Sequence, residues 1–230
     1  MYTERAARLT GAVLWTSHPA GPGRVLPDGC MDLLWSEHQG ALLVAGPDTR
    51  AHVTDGTPGA WAGVRFFPGT APSLLGVPAH ELRDRRLPLG DLWPTPLVRR
   101  LTAGVNAADD PATGLEELAL RLARETGADT PDPLLRHLVT GLDAGRPVAA
   151  VADELGLTAR QVHRRSLTAF GYGPKTLARV RRLQRALALA RSGVPLATTA
   201  ARAGYADQAH LARDVRDLTG LTPCRLLGRR

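Results

Sequence analysis

The sequence predicts an α+β protein in two parts, an antiparallel β module of small-barrel type followed by an all-helical domain. Three observations carry that expectation. Short β-rich runs separated by Gly- and Pro-bearing turns fill the first 95 or so residues. From Pro133 onward every segment has helical periodicity. The charge balance also reverses: residues 1–130 hold 12 Arg and no Lys against 15 Asp and Glu, whereas residues 131–230 hold 16 Arg and one Lys against 7 acids. The formal charge of +7 therefore belongs to the C-terminal hundred residues, where a surface for a polyanion is to be sought.

With 230 residues, 43% hydrophobic and 22% charged, the chain has ordinary globular composition and room for two cores, which excludes a fibrous or wholly disordered protein. Cys30 and Cys224 lie 194 positions apart and offer neither a metal spacing nor a disulfide framework. The start MYTERAARLTGAV lacks the apolar core of a signal peptide, and no apolar run approaches the roughly 18 residues that span a bilayer. A cytoplasmic, nucleoid-associated protein with no membrane partner, no metal and no cofactor is expected.

Taken in order, AVLW at 12–15, MDLLW at 31–35, ALLVAG at 41–46 and WAGVRFF at 61–67 read as strands, and PDG, GPD and TPG read as the turns between them. SLLGVPAHEL at 73–82 reads as a short helix broken at Pro78. PLVRRLTAGV and GLEELALRLARETG carry the apolar stripe of amphipathic helices. GADTPDP at 127–133 concentrates breakers and caps. The chain thus divides into residues 1–95, a β-rich sensor or dimerisation module; 96–130, a helical connector; and 131–230, the basic helical domain.

Within that last part, PVAAVADELGLTARQVHRRSLT (147–168) reads as a helix burying Val148, Val151, Ala152 and Leu155, a turn at Gly156, and a second helix capped by Thr158 and anchored by Val162. Arg160, Gln161, His163, Arg164 and Arg165 occupy the rest of that second helix. PLATTAARAGYADQAHLARDVRDLT (195–219) repeats the pattern, with Gly204 at the turn, Asp207 as cap and Leu211 and Val215 as anchors. A helix, a short turn and a polar-faced helix form the unit that places its second helix in a major groove. Between the copies, PKTLARVRRLQRALALARSG opens with proline and closes at Gly193, giving about 17 residues or roughly 25 Å of helix. That length suits two reading heads near one DNA turn apart, about 34 Å.

The FGYGP corner at 170–174, the R-x-x-R-A of Arg182–Ala186 and AARAGYADQAHLARDVRDLTGLTP at 201–223 resemble the DNA-binding domain of AraC/XylS transcription regulators. The resemblance covers about a hundred residues. It implies base contacts at Arg160, His163 and Arg164 in the first unit and at Gln208, Ala209, His210, Ala212 and Arg213 in the second. Phosphate contacts are expected at Thr158, Lys175, Arg179, Arg182 and Arg216, with Arg181 and Arg185 meeting phosphates or solvent. The chain departs from the family at Ser166, where Phe is usual, which transfers packing to Leu167 and Phe170. RVLPDGCMDLLW (24–35), LLVAGPDTRA (42–51) and GVRFFPGTAPSLLGVPAHELRDRRLPLGDLW (63–93) resemble an uncharacterised β-rich domain that precedes this DNA-binding domain in actinobacterial regulators.

The β module carries weaker signals. Trp15, Trp35 and Trp61 pack a core or line an effector cavity together with Cys30. His18, Asp28, Cys30, Asp32 and His38 fall within 21 positions but show no metal-ligand spacing, and only Arg24 stands near enough in sequence to depress the Cys30 pKa. HELRDRR at 80–86 is a solvated face, or else an inter-domain or dimer contact. GYGPKT at 171–176 echoes a phosphate-binding loop, but Pro174 stands where that loop needs glycine, so an ATPase is excluded.

The expected function is promoter binding by two recognition helices in adjacent major grooves, regulated through the N-terminal module by a small-molecule effector or a homodimer contact. RNA polymerase is a further partner if the protein activates. No enzymatic activity is expected; the alternative is a Cys30-dependent DNA alkyl-repair protein or a metal-dependent small-molecule enzyme in the β module.

Overall fold

The computed structural model describes residues 1–228. Its first part is a six-stranded antiparallel sheet in the order β1 (Tyr2–Ala6), β2 (Val13–Ser17), β7 (Trp61–Arg65), β4 (Asp32–Ser36), β5 (Ala41–Ala45) and β8 (Arg86–Pro88). A separate ribbon pairs β3 (Gly23–Val25) with β6 (His52–Thr54). The order is linear and ends at β1 and β8, so the module is an open sheet with its barrel unclosed. The four strands expected from the sequence are β2, β4, β5 and β7. The others lack the apolar alternation that would announce them: every residue of β1 is exposed, and β3, β6 and β8 are three residues each.

Period-two alternation sorts the sheet into two faces. Leu33, Trp35, Leu42, Val44, Ala62 and Val64 are buried on one face in a core shared with α2 (Thr95–Asn106) and α3 (Pro111–Thr126). Leu101, Val105, Leu115, Ala119 and Leu122 of these helices belong to that core, so residues 96–130 serve as the lid of the sheet as well as the path onward. Asp110 caps α3, accepting from the amides of Ala112 and Thr113. Buried Glu116 ties α3 to the amino terminus by accepting from both Arg5 and Arg8. A short helix, α1 (Ala71–Leu75), and a helical turn over Ala79–Glu81 separate β7 from β8.

The helical part comprises α4 (Pro133–Asp143), α5 (Val148–Glu154), α6 (Ala159–Phe170), α7 (Pro174–Arg191), α8 (Leu196–Ala203), α9 (Gln208–Thr219) and α10 (Pro223–Leu226). Its two cores are joined by α7, which contributes Leu177 and Val180 to one and Leu183, Ala186 and Leu187 to the other. The helix is 18 residues, about 27 Å, long enough to serve as a common spine.

The sheet domain grips both halves of that spine. Phe67 packs against the core of α4–α6, and Leu26 packs against the core of α8–α9. Arg181 donates to the carbonyl of Asp28 at 2.8 Å and Gln184 to that of Pro27 at 2.5 Å. The amide of Ala51 donates to Leu218 at the end of α9, 2.7 Å away. Of the HELRDRR segment, Arg83 donates to the carbonyl of Gly171 at 3.3 Å, so the inter-domain role applies to it.

Candidate nucleic-acid interface

Each helix-turn-helix unit is built by a cap and an anchor. In the first, Thr158 and Gln161 form a reciprocal capping box, the Thr158 hydroxyl accepting from the Gln161 amide and the Gln161 side chain accepting from the Thr158 amide. Val162, Ser166, Ala169 and Phe170 turn inward, which leaves Arg160, Gln161, His163, Arg164 and Arg165 exposed along α6. Ser166 is fully buried where a Phe is usual, and Phe170 supplies the aromatic bulk one turn later; Leu167 is only half-buried. In the second unit the Asp207 carboxylate accepts from the His210 amide at 2.6 Å, and Leu211, Asp214, Val215 and Leu218 turn inward. Gln208, Ala209 and Arg213 remain exposed and Ala212 half-exposed.

The expected base-reading residues therefore group on the outer faces of α6 and α9, with one qualification. The ring of His210 folds back onto its own turn: Nδ1 accepts from the Ala206 amide at 3.4 Å, and the ring meets Tyr205 edge-on with centroids 5.1 Å apart. Its position on the helix is that of a base reader, and its side chain buttresses the turn.

Among the expected phosphate contacts, Thr158 and Lys175 are exposed. Arg179 and Arg182 are engaged inside the domain. Both bond the buried carboxylate of Asp214 on α9, and Arg179 also reaches Asp217 at 2.9 Å. Arg185 donates to the carbonyls of Leu142 and Asp143 at the end of α4 and, at 3.0 Å, to Ala203 at the end of α8. One guanidinium thus satisfies carbonyls at the ends of a helix in each unit, where cations are favoured by the helix dipole. Arg179 and Arg182 thereby fix the second recognition helix to α7, and Arg185 ties α4 to α8 across it. Sequence reasoning missed this role because the partner carboxylate of Arg179 is 35 residues distant.

The N-terminal candidates do not form one site. Trp15 and Trp61 lie on the sheet face opposite Trp35, whose indole donates to Asn106 on α2 at 2.7 Å. Trp15 covers Gly63 so closely that a Cβ there would fall 2.3 Å from the indole, and it donates to Asp32 at 2.7 Å. Burial pushes the Asp32 carboxyl up to about 6 against the opposing pull of Arg65. Cys30 sits beneath α7, with Arg181 and Arg65 rather than Arg24 as its cationic neighbours. Burial, reinforced by Asp28 and Asp32, raises its thiol well above the usual range, which disfavours the nucleophilic thiolate. Among the described residues no group of three or more His, Cys, Asp and Glu side chains is placed to hold a metal, and no helix is long and apolar enough to cross a membrane.

Residues 151–229 match a family described as a helix-turn-helix domain, and residues 12–88 match a domain of unknown function, DUF6597. No curated protein matches the chain. Among solved structures, an apo variant of ToxT from Vibrio cholerae is similar with a TM-score of 0.50 at 10% identity, over 97% of this chain and 99% of that one. ToxT bound to (E)-4-(8-methylnaphthalen-1-yl)but-3-enoic acid gives a TM-score of 0.50 at 10% identity over 99% and 98%. These two likenesses are of fold. A probable AraC family transcriptional regulator from Rhodopseudomonas palustris is 26% identical over 43% of this chain and 100% of that one, with a TM-score of 0.37.

Proposed function

We propose that this chain is an AraC-type DNA-binding transcription regulator that reads a promoter through the outer faces of α6 and α9, a reading supported by the helix-turn-helix match over residues 151–229. The observation that carries the reading is the pair of capped helices with exposed polar faces on one spine: α9 is held to α7 by Arg179 and Arg182, and α6 runs directly into α7 through the turn at 171–173. Arg160, His163 and Arg164 face one major groove; Gln208, Ala209, Ala212 and Arg213 face the next, with His210 supporting the turn. Arginine donates in bidentate fashion to guanine O6 and N7, and each such pair is worth about 1 to 3 kcal/mol of discrimination. Thr158 and Lys175 bond the backbone and carry affinity without sequence information.

Regulation through the N-terminal domain is the second half of the proposal. The domain touches both recognition units at once, through Phe67 on the first and Leu26 on the second. A change in the sheet domain therefore reaches the spacing of the two reading heads without passing through a flexible tether. The test is DNA binding by the full chain carrying Arg164→Ala or Arg213→Ala. Each should weaken a preferred site by about tenfold or more while leaving affinity for scrambled DNA within about threefold, as expected for lost base contacts. Equal weakening on both DNAs would reject the assignment of these two residues to bases.

A further inference from the structure

We propose that Arg24, Arg50 and Arg216 form an oxyanion site across the seam between the two domains, whose occupant is a small phosphate-bearing molecule. The three side chains line a cleft of about 320 Å³ together with Ala51, Asp217, Thr219 and Gly220. Arg24 is the middle residue of β3, Arg50 lies two residues before β6, and Arg216 comes from the last turn of α9.

The charge of this cleft is unbalanced. Several arginines elsewhere, among them Arg5, Arg8, Arg65, Arg86, Arg146, Arg179, Arg181 and Arg182, meet a carboxylate, whereas others stand singly on exposed helix faces; the cleft differs in gathering three into one lining. In the cleft, the side chains of Arg50 and Arg216 have neither a hydrogen bond nor an ion pair among the described residues. Arg24 reaches only the carbonyl of Thr219, at 3.5 Å. The one acid in the lining, Asp217, is already paired with Arg179. The C-terminal end of α9 supplies about half a negative charge, which Arg24 answers; the other two guanidinium groups share the cleft lining without a counter-ion. An oxyanion supplies that counter-ion, and guanidinium forks match phosphate geometry.

Arg216 follows Arg213 by three residues, about 4.5 Å along α9; what sets the cleft apart from the DNA face is that it opens at the end of the helix against the sheet domain. It also requires both domains, since Arg24 and Arg50 belong to one and Arg216 to the other. Occupancy would fasten the sheet domain to the second recognition helix and make DNA affinity depend on the anion.

The experiment titrates inorganic phosphate into the full chain without DNA, at constant ionic strength set by chloride, following thermal unfolding and heat of binding. The variant is Arg24→Gln with Arg50→Gln, whose fold is checked by circular dichroism; both residues lie outside the helix-turn-helix units. Saturable stabilisation in the parent chain, absent with chloride and weakened at least tenfold in the variant, is the expected result. A second arm measures the salt dependence of DNA binding. If phosphate does not saturate but the variant flattens the log–log salt slope by about two, the occupant is the DNA backbone and the small-molecule assignment is overturned. Phosphate binding of equal strength in both chains, or no effect in either arm, overturns the proposal. The first arm contains no DNA, so its failure is separable from failure of the regulator reading.

Discussion

The guanidinium of Arg182 lies over the ring of Tyr205, 4.4 Å from its centroid, and the hydroxyl of that tyrosine donates to Asp214 at 3.0 Å. Since Asp214 also accepts from Arg182 and Arg179, four side chains from the spine, the second turn and the second recognition helix close a single network around one buried carboxylate.

That network predicts a separation of stability from DNA contact. Asp214→Ala leaves Arg182 and Tyr205 without their acceptor and Arg179 with Asp217 alone, and should cost about 3 kcal/mol, whereas Tyr205→Phe keeps the stacking and should cost about 1 kcal/mol. Arg182→Ala should lower stability yet leave the salt slope of DNA binding unchanged. Urea unfolding and salt-dependent binding measure the two effects; a slope reduced by about one would return Arg182 to the phosphates.

The docking of the sheet domain has a steric test. Gly171 has φ of +80°, and a Cβ there would lie 2.5 Å from Cγ of Pro47 and 3.0 Å from the carbonyl oxygen of Ala79. Gly156 is also left-handed, at φ of +62°, but has open space around it. Both alanine variants bear the left-handed backbone cost of about 1 to 2 kcal/mol. Gly171→Ala should lose more and should render the inter-domain seam newly sensitive to protease. Equal losses in the two variants would mean that the domains are not pressed together as described.

The acid-base behaviour of Asp32 gives a third expectation. Its folded pKa is raised from 3.8 to about 6, so the folded chain holds this proton more firmly than the unfolded chain does. Its contribution to stability is complete below the unfolded value and is lost as pH rises through about 6. Thermal unfolding between pH 4 and 7 should therefore show a decline with pH in the parent chain that Asp32→Asn reduces. Parallel curves would show that Asp32 titrates near its ordinary value.

Much of this arrangement was legible in the residues. Thr158, Asp207 and the Gly204 turn announced both recognition helices because caps and left-handed exits have local chemistry. Pro174 and Gly193 bounded the spine within two residues for the same reason. What the chain does with its arginines was not legible: Arg179 and Arg182 look like solvent-facing cations until Asp214, more than thirty positions on, is folded against them. The domain contact was equally silent, since Pro27 and Asp28 take part through backbone carbonyls, which every residue carries. The tryptophans were separated by register: Ser36 rather than Trp35 is opposite Trp61, which places Trp35 on the other face.

The central claim is tested most directly by selecting bound sequences from random duplex DNA with the full chain at near-physiological salt. The account predicts an enriched site with two short blocks about one helical turn, roughly 34 Å, apart, the blocks losing definition separately in Arg164→Ala and Arg213→Ala. Tight binding without enrichment, or a single block untouched by either variant, would contradict it.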